Sequence, residues 1–145
     1  MGDELPALKA IGFTRAGEWN FDGKGIACQL DEFDNACNVL YAFVIGDELM
    51  YVGKTVQSLR ARMAGYRNPG PTQSTNIKNK QKIMKSLKEG RRVDIYVLPD
   101  NGLMHYGKFH MNLAAGLEDS IVRQLSPPWN GGQKESLDQT LQPTT

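Results

Sequence analysis

The chain has 145 residues, of which 40% are hydrophobic and 23% charged. Its net charge of +1 does not by itself point to any class of binding partner. This length suffices for one domain with a core of its own, and the composition is typical of a globular protein. No apolar run approaches the roughly 20 residues of a membrane span, and the start, MGDELPALKA, does not resemble a signal peptide. We therefore expect a cytoplasmic protein that contacts no membrane.

Residues 1–37 carry weak signals and predict short strands or an irregular N-terminal arm. Glycines recur every few residues and the hydrophobic alternation is faint. The segment could pack on the core or mediate self-association, and the sequence does not decide between them. Cys28 and Cys37 match neither a zinc pair nor a CxxC redox motif, so we expect reduced thiols without a chemical role.

A β-hairpin is predicted next. The segment 39–45 (VLYAFVI) is β-branched and aromatic, and 49–53 (LMYVG) is a second short strand. A Gly-Asp pair between them is a turn signal, and strands joined by about three residues pair in antiparallel order. The hairpin places Tyr41 and Tyr51 on adjacent strands, where their hydroxyls can converge.

Two helices and a third strand should follow the hairpin. The first helix begins at about Ser58, a favourable N-cap residue, and the segment 68–75 (NPGPTQST) ends it. A basic helix over about 76–89 stops at Gly90. The alternating segment 93–98 (VDIYVL) predicts a strand.

A glycine-containing loop and a last helix, over about 113–125, complete the predicted domain. The order β-β-α-α-β-α predicts an α+β fold, in which helices pack on a small, mostly antiparallel sheet of three strands. We assign residues 38–132 to this domain, 67–92 to a basic helical insert within it, and 133–145 to a flexible tail.

Charge is strongly segregated along the chain. Residues 54–92 contain eleven basic residues and one acid, a balance of +10, whereas 1–53 carry −6 and 93–145 carry −3. Such a block predicts a surface that binds a polyanion, although a solvated lysine-rich helix face is the alternative. The candidate DNA contacts are Arg60, Arg67, Lys78, Lys80, Lys82, Lys85, Arg91 and Arg92. The amides of Asn68, Gln73, Asn76, Asn79 and Gln81 could read base edges.

The last helix contains a carboxylate within an apolar stripe. Glu118 lies at helical spacing from Ala114, Ile121, Val122 and Leu125. A carboxylate directed into a core is costly unless it is paired or bound to a metal. One carboxylate with water and phosphate oxygens is a typical Mg²⁺ site, and an ion pair with a buried arginine is the alternative.

Six short motifs occur in a fixed order between residues 41 and 130. They are Tyr41 in VLY, Tyr51-Val52-Gly53, Arg62 in LRAR, Tyr66, Glu118, and Asn130 in PPWN. In order and approximate spacing they resemble the GIY-YIG nuclease family, most closely in layout its small stand-alone restriction endonucleases. The Gly-Ile that precedes the first tyrosine in that family is absent here.

Hydrolysis of a phosphodiester needs an activated water, stabilised charge on the phosphate and help for the leaving oxygen. A tyrosine is a poor base unless a nearby cation, such as Lys54 or Arg62, lowers its pKa. We expect Tyr41 to accept the proton or position the water, with Tyr51 supporting it. The alternative is that both are ordinary core tyrosines.

The resemblance implies roles for five further residues. Arg62 would hold the scissile phosphate, because its planar fork suits phosphate oxygens, and Arg60 is the fallback. Tyr66, one helical turn after Arg62, would position a water or the phosphate. Asn130 would support the active site, and Lys54 would neutralise charge at the phosphate. Each could instead be an ordinary surface, helix-end or turn residue.

The predicted function is a Mg²⁺-dependent (or Mn²⁺-dependent) endodeoxyribonuclease with Glu118 as the metal ligand, acting on double-stranded DNA as a sequence-specific restriction enzyme. Cutting both strands would require a homodimer, because one site cuts one strand. The alternatives are a phage, mobile-element or repair nuclease, or a non-catalytic nucleic-acid-binding module. His105 and His110 lack a second ligand pair at metal spacing, so no further metal site is expected.

Overall fold

A computed structural model describes residues 3–130 of the chain, so the predicted tail 133–145 lies outside the described residues. The elements are, in order, α1 (Glu4–Ala10), β1 (Thr14–Phe21), β2 (Ile26–Leu30), β3 (Val39–Ile45), β4 (Glu48–Thr55), α2 (Leu59–Arg67), α3 (Ser74–Lys88), β5 (Val93–Leu98), β6 (His105–Tyr106), β7 (Phe109–His110), α4 (Leu113–Leu125) and a 3-10 turn (Pro128–Asn130). None of the helices in this part of the chain is long and apolar enough to span a membrane.

Five antiparallel strands form the main sheet, in the order β2-β1-β5-β3-β4. The α+β class is confirmed, but the expectation of three strands is wrong. The N-terminal segment adds the other two, because β1 pairs with β5 and β2 pairs with β1. The alternation of hydrophobic residues in these strands is faint because the register of β1 on β5 shifts between Arg15 and Gly17. The glycine is required there, since a Cβ on Gly17 would lie 2.0 Å from the Gln29 carbonyl oxygen.

Helices cover both faces of the sheet and create two apolar layers. Every residue of β3 is buried, as expected for a strand that is covered on both sides. Tyr41 and Phe43 face a core that includes residues of α2 and α3, whereas Leu40 and Val44 face a core with residues of α1 and α4. The strand β4 lies at the sheet edge, next to α4 and the 3-10 turn.

Local signals place most element ends correctly. The strands β3 and β5 and the helix α4 have the predicted bounds, and α3 begins two residues before the predicted start. Ser58 caps α2 by accepting a hydrogen bond from the Ala61 N–H at 3.1 Å. Gly90 follows α3 with a φ of 83°, a left-handed conformation that suits glycine. The predicted glycine-containing loop holds the exposed ribbon of β6 and β7.

Candidate active site

The edge strand β4 contributes residues to two clefts, which contain most of the predicted catalytic residues. The carboxylate cleft has a volume of about 290 Å³ and is lined by Tyr51, Lys78, Lys82, Glu118, Trp129 and Asn130, among others. The arginine cleft has a volume of about 430 Å³ and is lined by Lys54, Arg62, Gly65, Gln73 and Asn76, among others. Lys54 Nζ, from the arginine cleft, lies 3.9 Å from Glu118 Oε1, so the clefts adjoin at this pair.

The two hairpin tyrosines differ in exposure, and only Tyr51 lines a cleft. Tyr41 is 1% exposed, and its hydroxyl lies 2.6 Å from the Tyr66 hydroxyl in the core. The Tyr41 ring crosses Gly53, its partner in register, where a Cβ would lie 2.6 Å from the Tyr41 oxygen. The expected division of roles is therefore corrected: Tyr51 faces the cleft, and Tyr41 is covered by its own sheet and α2.

Tyr41, Tyr51 and Tyr66 form a cluster whose pKa values are all raised. Burial is the largest cause in each case, and the charge of Arg62 offsets it only in part. The expectation that a nearby cation lowers a tyrosine pKa is therefore wrong in its net result. All three hydroxyls are protonated at neutral pH. Tyr51 can thus orient a water by hydrogen bonding, but it is not a preformed phenolate base.

Arg62 is half-buried on α2 and stacks on the Tyr66 ring, with 4.2 Å from the guanidinium carbon to the ring centroid. Its Nη2 donates to the Tyr66 hydroxyl at 2.9 Å and to Asn76 Oδ1 at 2.9 Å. Burial acts to lower the pKa of Arg62, but the neighbouring tyrosines raise it overall, so the charge persists. Tyr66 is 0% exposed, which corrects its expected contact with water or phosphate: it supports Arg62 instead.

Glu118 borders the apolar stripe of α4 and enters the carboxylate cleft rather than the core. Its side chain is 29% exposed, and its ion-pair partner is the exposed Lys54 rather than a buried arginine. Residues 3–130 contain no cluster of three or more His, Cys, Asp or Glu that could hold a metal. One carboxylate beside an open cleft nevertheless fits Mg²⁺, which keeps several waters and takes few protein ligands when phosphate oxygens complete its shell.

Asn130 binds the outer edge of β4. Its Oδ1 accepts a hydrogen bond from the Val52 N–H at 3.0 Å, and its Nδ2 donates to the Val52 carbonyl at 3.0 Å. These bonds replace the missing neighbouring strand at the residue between Tyr51 and Gly53. Asn130 therefore braces the backbone of β4 beside Tyr51, and its support of an active site stays a prediction.

Only part of the basic block faces the clefts. Lys78 and Lys82 line the carboxylate cleft, and Lys85 follows them on the same side of α3. Lys80 instead lies beside Gly25, where a Cβ would be 3.8 Å from its Nζ. The arginines Arg60, Arg67, Arg91 and Arg92 form ion pairs with Asp34, Asp22, Glu89 and Glu18, respectively. Arg60 lines a separate groove beside Cys28, so it is not a substitute for Arg62.

Two buried amides of α3 belong to the site, and their roles were not foreseen. Asn76 and Asn79 are 8% and 1% exposed, too little to read base edges as expected. They share the buried stripe of α3 with Ile83 and Ser86, so polar residues at core spacing were the available signal. Asn79 lines the carboxylate cleft, and its Nδ2 has no hydrogen-bond partner among the described residues.

Comparisons with known proteins find relatives in both sequence and structure. No model of a protein family matches the chain. It is 32% identical to Endonuclease II of Enterobacteria phage T4 over 123 residues, which are 81% of this chain and 89% of that protein. The structure of an E118A mutant of bacteriophage T4 EndoII matches 88% of this chain and 98% of its own, with a TM-score of 0.66 and 30% identity.

Restriction endonuclease Hpy188I, solved in complex with product DNA, matches in fold alone, with a TM-score of 0.51 and 14% identity over 81% of this chain and 75% of its own. With these relatives, the antiparallel sheet and the clefts beside its edge strand define the class of the protein as an endonuclease. The sequence identity to the phage protein, and the large part of both chains that the alignment covers, establish the family. The chain belongs to the family of phage T4 Endonuclease II.

Proposed function

We propose that this protein is a Mg²⁺-dependent endonuclease of the GIY-YIG type that hydrolyses phosphodiester bonds in double-stranded DNA. The observation that carries the proposal is the carboxylate cleft, which one carboxylate, one tyrosine and two lysines line together. Glu118 supplies a hard oxygen ligand, and the lysines Lys78 and Lys82 supply charge that attracts a phosphate backbone. The naming of the phage relative as an endonuclease, and the product DNA bound to Hpy188I, support DNA as the substrate class.

Glu118 is the residue that would hold the metal. Its partial exposure leaves room for water and phosphate oxygens, and its pair with Lys54 at 3.9 Å is loose enough to yield to a cation. Bound Mg²⁺ (or Mn²⁺) supplies Lewis-acid stabilisation of the charge that develops on the phosphate. Lys54 then remains at the boundary of the two clefts, where it can neutralise a phosphate oxygen.

The other groups would orient the reactants. In the reaction, the oxygen of a water attacks phosphorus and that water gives up a proton to solvent, while the bond from phosphorus to one sugar oxygen breaks and that oxygen takes up a proton from solvent. The neutral Tyr51 hydroxyl accepts a hydrogen bond from the attacking water and directs it. Arg62 binds the scissile phosphate from the arginine cleft with the N–H groups that its internal bonds leave unused.

One wall of the carboxylate cleft would grip the DNA backbone. Lys78 and Lys82 stand one helical turn apart on α3, a spacing that suits neighbouring phosphates of one strand. Between them, the Asn79 Nδ2 offers a buried donor without a partner among residues 3–130. That nitrogen is buried, so the two lysines rather than the amide would contact the phosphates.

The test is cleavage of supercoiled plasmid by the purified protein. We expect cutting with Mg²⁺, none with chelator, and recovery when Mg²⁺ is restored. Glu118→Gln should lower the rate by more than about 100-fold while DNA binding persists, because it removes the metal ligand but keeps the shape. Asp119→Asn is the matched control, since that neighbour is 75% exposed and pairs with Arg123, and it should cut normally.

Two outcomes would contradict the proposal. If the Glu118→Gln variant cuts at the wild-type rate, Glu118 is not the metal ligand. If the wild-type protein binds DNA but never cuts it, the protein is a non-catalytic binding module. The same assay addresses two finer proposals, a restriction-type specificity and a homodimer. One defined cut site and linear product support them, whereas scattered cuts and nicked circles favour a phage, mobile-element or repair nuclease that acts on one strand at a time.

A further inference from the structure

The guanidinium of Arg62 is held from two helices at once. Its Nη2 carries two hydrogens, and both are used: one in the 2.9 Å bond to the Tyr66 hydroxyl on α2, the other in the 2.9 Å bond to Asn76 Oδ1 on α3. These bonds leave the Nε and Nη1 hydrogens for a ligand. The fit is close, since a Cβ on Gly65 would lie 3.3 Å from Arg62 Nη1 and 3.6 Å from Asn76 Nδ2.

Asn76 is itself fixed by the turn that precedes α3. Its Nδ2 donates to Gln73 Oε1 at 3.2 Å, and the same oxygen accepts the Gly70 N–H at 2.8 Å. The amide oxygen must face Arg62, because a guanidinium has donors and no acceptor. The position and the orientation of the Asn76 amide are therefore both fixed. We call residues 70–76 the bracket, because through Asn76 they hold the guanidinium of Arg62 in place.

We propose that Asn76 is a positioning residue that orients Arg62 toward the scissile phosphate. The inference rests on the proposed function, in which Arg62 binds that phosphate. A guanidinium makes paired hydrogen bonds to phosphate only when its plane has the correct orientation, and small misplacements lower the rate strongly. The stacking on the Tyr66 ring and the bond to its hydroxyl hold the guanidinium from α2 alone, whereas the bond to Asn76 adds a second point of attachment from α3.

The same contact connects the arginine to DNA binding. Asn76 lies in the first turn of the helix that carries Lys78 and Lys82, so a shift of α3 by bound DNA would act on Arg62 through the bond to Asn76. With 8% exposure, the Asn76 side chain is too deeply placed to read bases itself. The proposal thus separates two functions of α3, in which the lysines bind substrate and the asparagine aligns the catalytic cation.

The experiment measures kcat and KM for Mg²⁺-dependent cleavage by Asn76→Leu, which has a similar size and no acceptor. We expect kcat to fall by about 10- to 100-fold, the range for a hydrogen bond to a charged group, with KM within about twofold of wild type. Gln124→Leu is the control, since it removes an exposed amide from α4 that has no part in either cleft, and its cleavage kinetics should be unchanged. In an Arg62→Ala background, Asn76→Leu should have almost no further effect.

A readout that needs no cleavage completes the design. In ¹⁵N NMR spectra, the Nη hydrogens of Arg62 should give separate signals in the wild type and in Gln124→Leu. In Asn76→Leu, rotation of the guanidinium should average them into one signal. Unchanged Arg62 signals, an additive loss of activity with Arg62→Ala, or an effect on KM alone would overturn the proposal. Wild-type cleavage by Arg62→Ala would instead refute the role of Arg62 in the proposed function, while the NMR result still reports on the bracket.

Discussion

Gly53 shows how a single position shapes the site. It pairs with Tyr41 in the register of β3 and β4, and the tyrosine ring lies across it on the face toward α2. A Cβ at this position would lie 2.6 Å from the Tyr41 oxygen, 2.7 Å from its Cζ and 3.0 Å from a ring carbon of Tyr51. The glycine of the Tyr-Val-Gly tripeptide is therefore required by packing, since it provides the space in which the two tyrosine rings meet.

At this scale we predict that Gly53→Ala lowers the free energy of unfolding by about 1–3 kcal/mol, the range for an overpacked core, and slows cleavage by displacing Tyr51. Urea denaturation measures the stability. Gly25→Ala is the matched control, because its Cβ would meet only the flexible end of Lys80 at 3.8 Å. In a Tyr41→Leu background the effect of Gly53→Ala on stability should shrink, and an undiminished effect would show that the Tyr41 ring is not the obstacle.

The lysines of α3 lie on two sides of the helix, and only one of these sides lines the carboxylate cleft. Lys78 and Lys82 line the carboxylate cleft, whereas Lys80 lies beside Gly25 and Lys88 stacks over Phe21 at 5.5 Å from the ring centroid. The last two therefore face the turn and the end of the β1–β2 hairpin. A count of charges along the sequence treats these four lysines alike, but the helical geometry does not.

We predict that replacing Lys78 and Lys82 together with Ala weakens DNA binding and reduces the slope of log K against log salt by about two, one for each lost phosphate contact. The double change of Lys80 and Lys88 to Ala removes the same charge from the other side and should leave the slope nearly unchanged. Binding titrations over a series of salt concentrations measure both. Equal slopes for the two variants would mean that the carboxylate cleft is not the path of the DNA.

Across the whole molecule, the tyrosine cluster links stability to alkaline pH. The pKa values of Tyr41, Tyr51 and Tyr66 are raised by burial above the unfolded value of about 10. Above that pH the unfolded chain binds fewer protons than the native state, so the free energy of unfolding falls as pH rises. The stabilisation is complete below about pH 10 and is lost through the range between the unfolded and the folded pKa.

We therefore predict a nearly constant contribution of the cluster up to about pH 10, then a fall of up to about 1.4 kcal/mol per pH unit for each buried tyrosine. Tyr41→Phe should make this fall shallower, although it also removes the bond to Tyr66. The control is Tyr106→Phe, at an 85% exposed tyrosine, which should leave the profile unchanged. Urea denaturation from pH 8 to 11 measures the slopes, and identical slopes for wild type and Tyr41→Phe would contradict the prediction.

Local patterns in the sequence were enough to predict much of this molecule. The apolar run of β3, the alternation of β5, the Ser58 cap and the two prolines after α4 predicted these elements, because each signal acts over a few residues. The carboxylate in the α4 stripe was recognised for the same reason. The N-terminal strands were not, since their pairing with a partner about 80 residues away and the bulge at Gly17 leave little trace in local alternation.

The order of motifs along the chain was sufficient to suggest an endonuclease and to select Tyr51, Arg62 and Glu118. The order of motifs could not predict which of these side chains are exposed to solvent, because that depends on which helices and strands pack over them. Packing of α2 on the sheet buried Tyr41 and Tyr66, and the edge position of β4 opened Tyr51 to a cleft. The bond from Asn76 to Arg62 also joins two helices, so only the folded chain could bring the amide and the guanidinium together.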